Sequence, residues 1–389
     1  MPTCAIIVVL ETVISVFVNK RRRCDLAMVS RVAVVEFEDA AKSLELALRL
    51  IGNIDDLNTS RRSAVIKVGV FDPQAENHTS VPVVDAIIKN FDKAPRIFLA
   101  ESDNYKGEAL ERLQLWKELF SDRVVPFSLS DDTETKKLKL ADEELSLSHV
   151  LFKPNVLVST HVLRGYERGS ILKNLFGLVP DAKKARFHKK LDTLLADIYE
   201  AIGGIDLAVL DGTYLYSGVG AMPHVGADSA KYRERMNTLV VGRDAVAVET
   251  VGAVLAGLKP EKMPVIQEFV KRGLGEGNMK NIEIVGSAFE SLKEKFANAA
   301  KAQKRPRAKG GPPQTWGGQA CRAMKSLMQD GFFKLPNKKS TEDVARAFEA
   351  KGIPTKNKED KIASILTRRV KRAILKAAKG PNGWVYWTE

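Results

Sequence analysis

Cysteine is scarce in this chain: three in 389 residues, Cys4, Cys24 and Cys321, far apart and with no Cys-x-x-Cys pair. That pattern indicates neither a disulfide framework nor a cysteine-ligated zinc site, so no iron–sulfur cluster is expected and a reducing cytoplasm is the fitting compartment. Histidine is nearly as rare, at five. No Gly-x-Gly-x-x-Gly or Walker pattern follows a strand, which removes the common nucleotide-binding fingerprints. Long apolar runs are also missing. Cys4–Val18, "CAIIVVLETVISVFV", would make a helix of about 22 Å, short of a hydrocarbon core of roughly 30 Å. Glu11 near its centre costs about 2 to 3 kcal/mol there, and no transmembrane span is expected. Its charges, Lys20 to Arg23 after Asn19, follow the run instead of preceding it, the reverse of a secretory signal. Residues 1–27 therefore read as an apolar and basic N-terminal extension. It is either a peripheral strand or helix or, the favoured choice, a segment upstream of a true start at Met28.

What is present is an ordinary globular composition, 44% hydrophobic, with a formal net charge of +13. The charge is segregated: residues 301–389 carry 21 Lys and Arg against 7 Asp and Glu, whereas residues 1–300 carry 40 against 41. A near-neutral body with a basic module follows, and a basic module suggests a polyanionic partner such as nucleic acid or an anionic membrane.

From residue 28 to 286, short Val-, Ile- and Leu-rich runs alternate with amphipathic stretches. Val65–Phe71, Ile97–Ala100, His149–Phe152, Leu207–Leu210, Thr238–Val241 and Ile282–Val285 read as strands. Val81–Phe91, Glu108–Phe120, His188–Ile202, Asp244–Leu255 and Pro264–Arg272 read as helices, with apolar residues three and four apart. This predicts an α/β fold with a mainly parallel or mixed sheet flanked by helices. Residues 287–318 gather positive charge, Gly and Pro and read as a linker. In residues 319–389, Ser340-Thr341-Glu342-Asp343 opens a helix ending near Lys351-Gly352, and Lys358–Ala373 is a second, cationic helix. Ile374–Ala378 and Trp384–Thr388 flank a Gly- and Asn-containing turn as a hairpin. Helix, turn, cationic helix and hairpin look like a winged helix-turn-helix. In that reading Lys361, Arg368, Lys371, Arg372, Lys376 and Lys379 are the nucleic-acid contacts, against the blander reading of a solvated helix face on a protein-binding domain.

The densest motifs lie in Val150–Pro180, "VLFKPNVLVSTHVLRGYERGSILKNLFGLVP". Thr160-His161, the hydroxyl of Ser170 and then Lys173-Asn174-Leu175-Phe176-Gly177 resemble the domain of unknown function 362 family, whose members share Lys-Thr-His, Thr and Lys-Asn-Leu-Phe-Gly. His188 after a basic stretch, "LAVLDG" ending at Asp211-Gly212, the glycine-rich "GVGAMPHVG", "VVGRDAVAVETVGAVLAG" and "GLGEGNMKNIEIVG" follow in order. The resemblance spans roughly residues 64–286. Ser159 stands where the family usually has Lys, Glu249 where it has Asp, and the glycine-rich segment is longer. Relatives often append a cysteine-rich ferredoxin-like segment that has no counterpart here.

For the body, two classes of function stay open. One is binding of a small anionic ligand, or catalysis on it. Lys153, Arg164 and Lys173 would supply charge, and Ser170, Asn174, Gly177 and Gly220 hydrogen bonds or close approach. His161, His188 and Asp211 are then the candidates for acid–base chemistry. A metal held by these histidines with Asp211 or His224 is a minority option, suited to zinc, nickel or iron. The other class is a ligand-responsive DNA-binding regulator or scaffold without catalysis. Glu101-Ser102-Asp103-Asn104, directly after a strand, is a further polar cluster that would line the same crevice or form a surface loop. On Ser170–Pro180, Ile171, Leu172, Leu175, Phe176 and Val179 form the expected buried stripe of a helix, with Ser170, Lys173, Asn174 and Gly177 along its other side.

Overall fold

The Val- and Ile-rich runs pair into a single eight-stranded sheet. In the computed structural model, which describes residues 29–73, 77–216, 233–287, 289–303, 316–371, 374–381 and 383–388, the body begins with β1 (Ser30–Glu36), α1 (Ala40–Leu50), β2 (Ala64–Val68), α2 (Val81–Asn90) and β3 (Ile97–Glu101). It continues through α3 (Ala109–Leu113), β4 (Val124–Ser128), the hairpin β5 (Thr135–Leu140) and β6 (Glu143–Ser148), β7 (Val156–Arg164) and the single turn α4 (Ile171–Asn174). It closes with α5 (Leu191–Ile202), β8 (Leu207–Tyr216), β9 (Arg233–Gly242), α6 (Ala245–Leu255), α7 (Pro264–Lys271), β10 (Ile282–Gly286) and α8 (Phe289–Gln303). The strand order is β10-β1-β9-β8-β7-β2-β3-β4, with every neighbouring pair parallel except those of β9. The fold is α/β, as the alternation of runs predicts.

Alternate residues of each strand face opposite sides of the sheet, and each side has its own core. Val65, Leu157, Ala208 and Leu210 meet the buried residues of α4 to α8. Ile66, Val158, Leu207 and Val209 meet those of α1 and α2 and Trp116. The chain runs from β2 outward through β3 to β4 and returns to the other side of β2 as β7. Strand order thus reverses between β2 and β7, and in open α/β sheets the crevice beyond strand C-termini at such a reversal is where ligands bind.

Three local readings change. His149–Phe152, expected as a strand, is a 3-10 turn at His149–Leu151, because the pairing role falls to β7 just after it, whose nine residues are all buried. Glu108–Phe120 is the short α3 followed by a 3-10 stretch with non-helical dihedrals at Trp116. The stretch read as a linker, 287–318, contains α8, whose Leu292 and Phe296 are buried in the body's core. Among the described residues no helix is long and apolar enough to cross a membrane. The extension at residues 1–27, Gly220, His224 and Arg372 lie outside the described residues.

The chain divides into two units, Met1–Lys304 and Arg305–Glu389. The second contains α9 (Trp316–Gln329), β11 (Lys339–Ser340), α10 (Thr341–Glu349), α11 (Glu359–Lys371), β12 (Lys376–Gly380) and β13 (Gly383–Trp387). Its strands form an antiparallel sheet in the order β11-β13-β12. Met324, Phe333, Val344, Phe348, Ile362 and Leu366 form its own core. Ser340 caps α10: its hydroxyl accepts from the Asp343 amide at 3.1 Å, and Asp343 accepts from the Ser340 amide at 2.8 Å. A unit with a separate core unfolds as a separate cooperative step. We expect two calorimetric transitions, with Ser340→Ala lowering only that of the C-terminal unit by about 1 kcal/mol. A shift of both transitions together would show that the units are one cooperative block.

Candidate functional site

Lys67 is the residue around which the crevice is built. It sits inside the apolar strand Ala64-Val65-Ile66-Lys67-Val68 and is 1% exposed. A buried ammonium requires partners for all three of its protons. Lys67 Nζ donates to the Glu101 carboxylate at the end of β3, to the Asn174 side-chain carbonyl at 3.0 Å and to the Val68 carbonyl at 2.8 Å. Burial nevertheless lowers its pKa, with Glu101 working against that shift. The second oxygen of Glu101 accepts from the Ser102 amide at 2.8 Å and lies 3.5 Å from Arg112. Arg112, also buried, donates to the carbonyls of Val70 and Ser102 and so ties the ends of β2 and β3 together.

The Lys-Asn-Leu-Phe-Gly segment closes over this pair. Ile171, Leu172, Leu175 and Phe176 are buried as expected, but the run is only one α turn followed by a 3-10 turn at Leu175–Leu178. Its other side faces the strand ends instead of solvent, so Ser170 and Asn174 are buried too. The Asn174 amide donates to the Lys67 carbonyl at 2.9 Å, the Thr160 carbonyl at 3.2 Å and Ser159 Oγ at 3.2 Å. It therefore joins β2, β7 and the segment. A Cβ on Gly177 would lie 2.6 Å from both Cε and Nζ of Lys67, so only glycine lets the backbone pass there. Glu249 of α6, also buried, holds the start of the segment: its carboxylate accepts from the amides of Ser170 and Leu172, each at 2.9 Å. Burial raises the Glu249 pKa, and those amides oppose the rise.

Beyond these residues lies a cavity of about 300 Å³ lined by Glu101, His161, Arg164, Lys173, Asn174, Gly177, Lys184 and His188, with Val70, Phe71, Tyr105 and Phe176 as its apolar wall. The Arg164 guanidinium donates to His161 Nε2 at 2.7 Å, and His161 Nδ1 lies 3.2 Å from the Val162 carbonyl. These partners assign the Nδ1–H tautomer. Burial, then Arg164 and Lys67, push His161 well below the ordinary histidine value. It is a neutral imidazole with both nitrogens engaged, which suits it to positioning Arg164. Gly69 lies directly against this ring, where a Cβ would collide with it. Lys184 donates to Ser102 Oγ at 2.5 Å, and burial brings its pKa down to about 8. Lys173 Nζ sits 4.1 Å over the Phe176 ring and, among the described residues, has neither hydrogen bond nor ion pair. Burial, then Arg164, Lys184 and Lys67, bring it down to about 7.

The fold thus gathers His161, Arg164, Lys173, Asn174, Gly177 and His188 at one cavity. Ser170 stands behind it, accepting from the Arg164 amide at 3.2 Å. Two residues leave the candidate set. Asp211 is paired with Val162 across β7 and β8, so it points to the opposite face of the sheet from His161. Its carboxylate is filled by the amide and hydroxyl of Ser80 and by those of Thr213. Lys153 precedes β7, at the far end of that strand, and pairs with Asp206. Sequence reading missed Lys67, Arg112 and Lys184. For Lys67 a signal existed, a lone lysine amid apolar strand residues. Glu101 and Asn104, read as either crevice or surface loop, line the cavity.

An ammonium without a counterion destabilises the fold that holds it. The unfolded lysine keeps its ordinary value of 10.5 and the folded one titrates near 7. Between these values the unfolded chain binds more protons, so stability rises with pH, and the penalty is complete below pH 7. Lys173→Met is expected to raise the unfolding free energy by about 1 to 2 kcal/mol at pH 6 and by less at pH 10, read from urea midpoints. Equal stability of the two proteins at pH 6 would mean that the charge is already compensated.

No curated protein matches the chain. Residues 65–254, from β2 to α6 and including every side chain placed at the cavity, are similar to the family described as Domain of unknown function (DUF362), whose sequence model matches them.

Proposed function

We propose that the body binds a small anionic ligand in the cavity beyond β2, β3 and β7. The observation that carries this reading is Lys173, beside Arg164 and Lys184, with no carboxylate in ion-pairing range of it among the described residues. Glu101, the acid of the lining, already has Lys67 and Arg112 against it. An anion entering the cavity supplies the missing charge, and Asn104 and His188 at the same wall add hydrogen-bonding capacity. The donor set does not suit a metal ion. Both nitrogens of His161 are engaged, Asp211 faces away, and three cations of the lining, Arg164, Lys173 and Lys184, repel one.

The C-terminal unit reads as a winged helix that docks on nucleic acid. Helix, strand, two helices and a two-stranded hairpin, with β11 pairing β13, support it. Lys361 and Arg368 are exposed on α11, and Lys376 and Lys379 on the hairpin. Lys371 closes α11. A small-ligand pocket and a basic docking unit in one chain also favour a second reading, a ligand-responsive DNA-binding regulator or scaffold in the cytoplasm.

Two measurements test these readings. Sulfate keeps a constant charge across neutral pH, so its binding reports the protein's protons alone. With Lys173 titrating near 7 and Lys184 near 8, a bound anion stabilises both charged forms and takes up protons. Sulfate affinity by calorimetry should therefore fall about tenfold or more between pH 6 and pH 9. A flat profile would remove Lys173 and Lys184 from the binding set. For the tail, Lys361→Ala with Arg368→Ala should reduce the slope of log affinity against log salt on duplex DNA by about 2. An unchanged slope would leave those side chains as a solvated face.

A further inference from the structure

The cavity's cations are not equivalent, and the difference suggests chemistry. Lys184 is fixed by Ser102 Oγ, which itself donates to the Gly177 carbonyl at 2.6 Å, and Arg164 is fixed by His161. Each is held in place by a neutral hydrogen-bond partner, and a fixed cation orients an anion. Lys173 has no such anchor among the described residues. Its Nζ rests on the face of Phe176, and His188 packs on the same ring with centroids 5.6 Å apart. An amine that must attack carbon needs a free lone pair, a nearby charge to repel its proton, and an apolar wall. All three are present.

We propose that Lys173 forms an imine with the carbonyl carbon of a small 2-oxo acid whose carboxylate is held by Arg164 and Lys184. This rests on the anion-binding reading of the same cavity and names its substrate class. In the step, the neutral amine adds to the carbonyl carbon. The C–N bond forms, and the C=O π pair moves to oxygen, which takes a proton. The nitrogen of this carbinolamine loses a proton, its lone pair forms the C=N bond, and the protonated hydroxyl leaves as water. No oxidant or reductant is consumed. His188, lining the cavity beside Phe176, is the group placed to carry the proton to the departing hydroxyl. With a value of about 7 in the empty cavity, roughly nine-tenths of Lys173 meets an incoming carbonyl as free amine at pH 8.

The test uses the full chain with pyruvate and sodium cyanoborohydride at pH 8, followed by peptide mapping. The expected result is a reduced pyruvyl adduct on Lys173, about tenfold or more above that on an exposed lysine such as Lys189. Sulfate should slow the labelling, acetone should label less well than pyruvate because it lacks the carboxylate, and Lys173→Arg should remove the adduct. Label spread over lysines according to exposure, with sulfate still bound in calorimetry, overturns the imine and leaves the anion site standing. Absence of both sulfate binding and Lys173 labelling overturns the two together. The mapping is done on the unaltered chain, so a folding defect in the variant does not decide the outcome.

Discussion

The buried ion pair of Lys67 with Glu101, joined by the Asn174 amide, is the contact on which the rest of the site depends. Removing either charge would leave the other unpaired in a nearly dry interior, a loss of about 3 to 5 kcal/mol. A well-packed apolar pair in the same positions would often be as stable. The pair is thus better understood through what it positions. It links the ends of β2 and β3 to the segment that follows β7, across the point where strand order reverses. Gly177 is required because Lys67 occupies the space that a Cβ would need. Glu249, from the distant helix α6, fixes the other end of the segment.

With the segment so held, the charge of Lys173 has nowhere to relax, beside those of Arg164 and Lys184. It could find water or a carboxylate if its backbone were mobile. The frame keeps the three together at the expense of the empty protein's stability, a trade that functional sites commonly make. Glu101, the carboxylate of the lining among the described residues, offsets part of the burial of Lys184, but it is turned toward Lys67 and Arg112 and does nothing for Lys173. The same logic sets His161 apart. Surrounded by cations, an imidazole is most stable neutral, and as a neutral acceptor it steadies the guanidinium of Arg164.

Much of the fold was legible because strand runs and helical spacing are local signals. The alternation of Val65–Phe71, Ile97–Ala100 and Leu207–Leu210 with amphipathic stretches led to the α/β class, and β2, β3 and β8 lie there. The site was most legible where a motif was contiguous: His161, Lys173, Asn174 and Gly177 fall within one stretch, while His188 and the Glu101–Asn104 cluster were read as separate candidates. Lys67 carried only the signal of a lone lysine in an apolar strand and Arg112 none, because they matter through β2 and β3 pairing side by side and through a reversal of strand order, neither of which spacing reveals. Asp211 misled for a related reason. A carboxylate at a strand end looks poised for ligand, but one step of strand alternation turned it to the opposite face, where Ser80 and Thr213 consume it. His149–Phe152 misled because a four-residue apolar run has no period long enough to separate a strand from a turn.

The contrast between Lys67 and Lys173 shows how one pocket can assign two roles to one residue type. Lys67 is fully and Lys173 partly removed from bulk water, and burial is the leading cause of the lowered pKa in each. Lys67 meets a carboxylate, an amide carbonyl and a backbone carbonyl, so its proton is held by geometry and its charge is structural. Lys173 meets an aromatic face, which attracts a cation weakly and offers a neutral amine no competing bond. The partners decide the chemistry: a lysine that completes its hydrogen bonds inside the protein becomes part of the frame. One that cannot is left either to take an anion from outside or to give up its proton and react. Both outcomes need the Lys67 pair intact, because without it Asn174 and the segment bearing Lys173 lose their anchor on the strand ends.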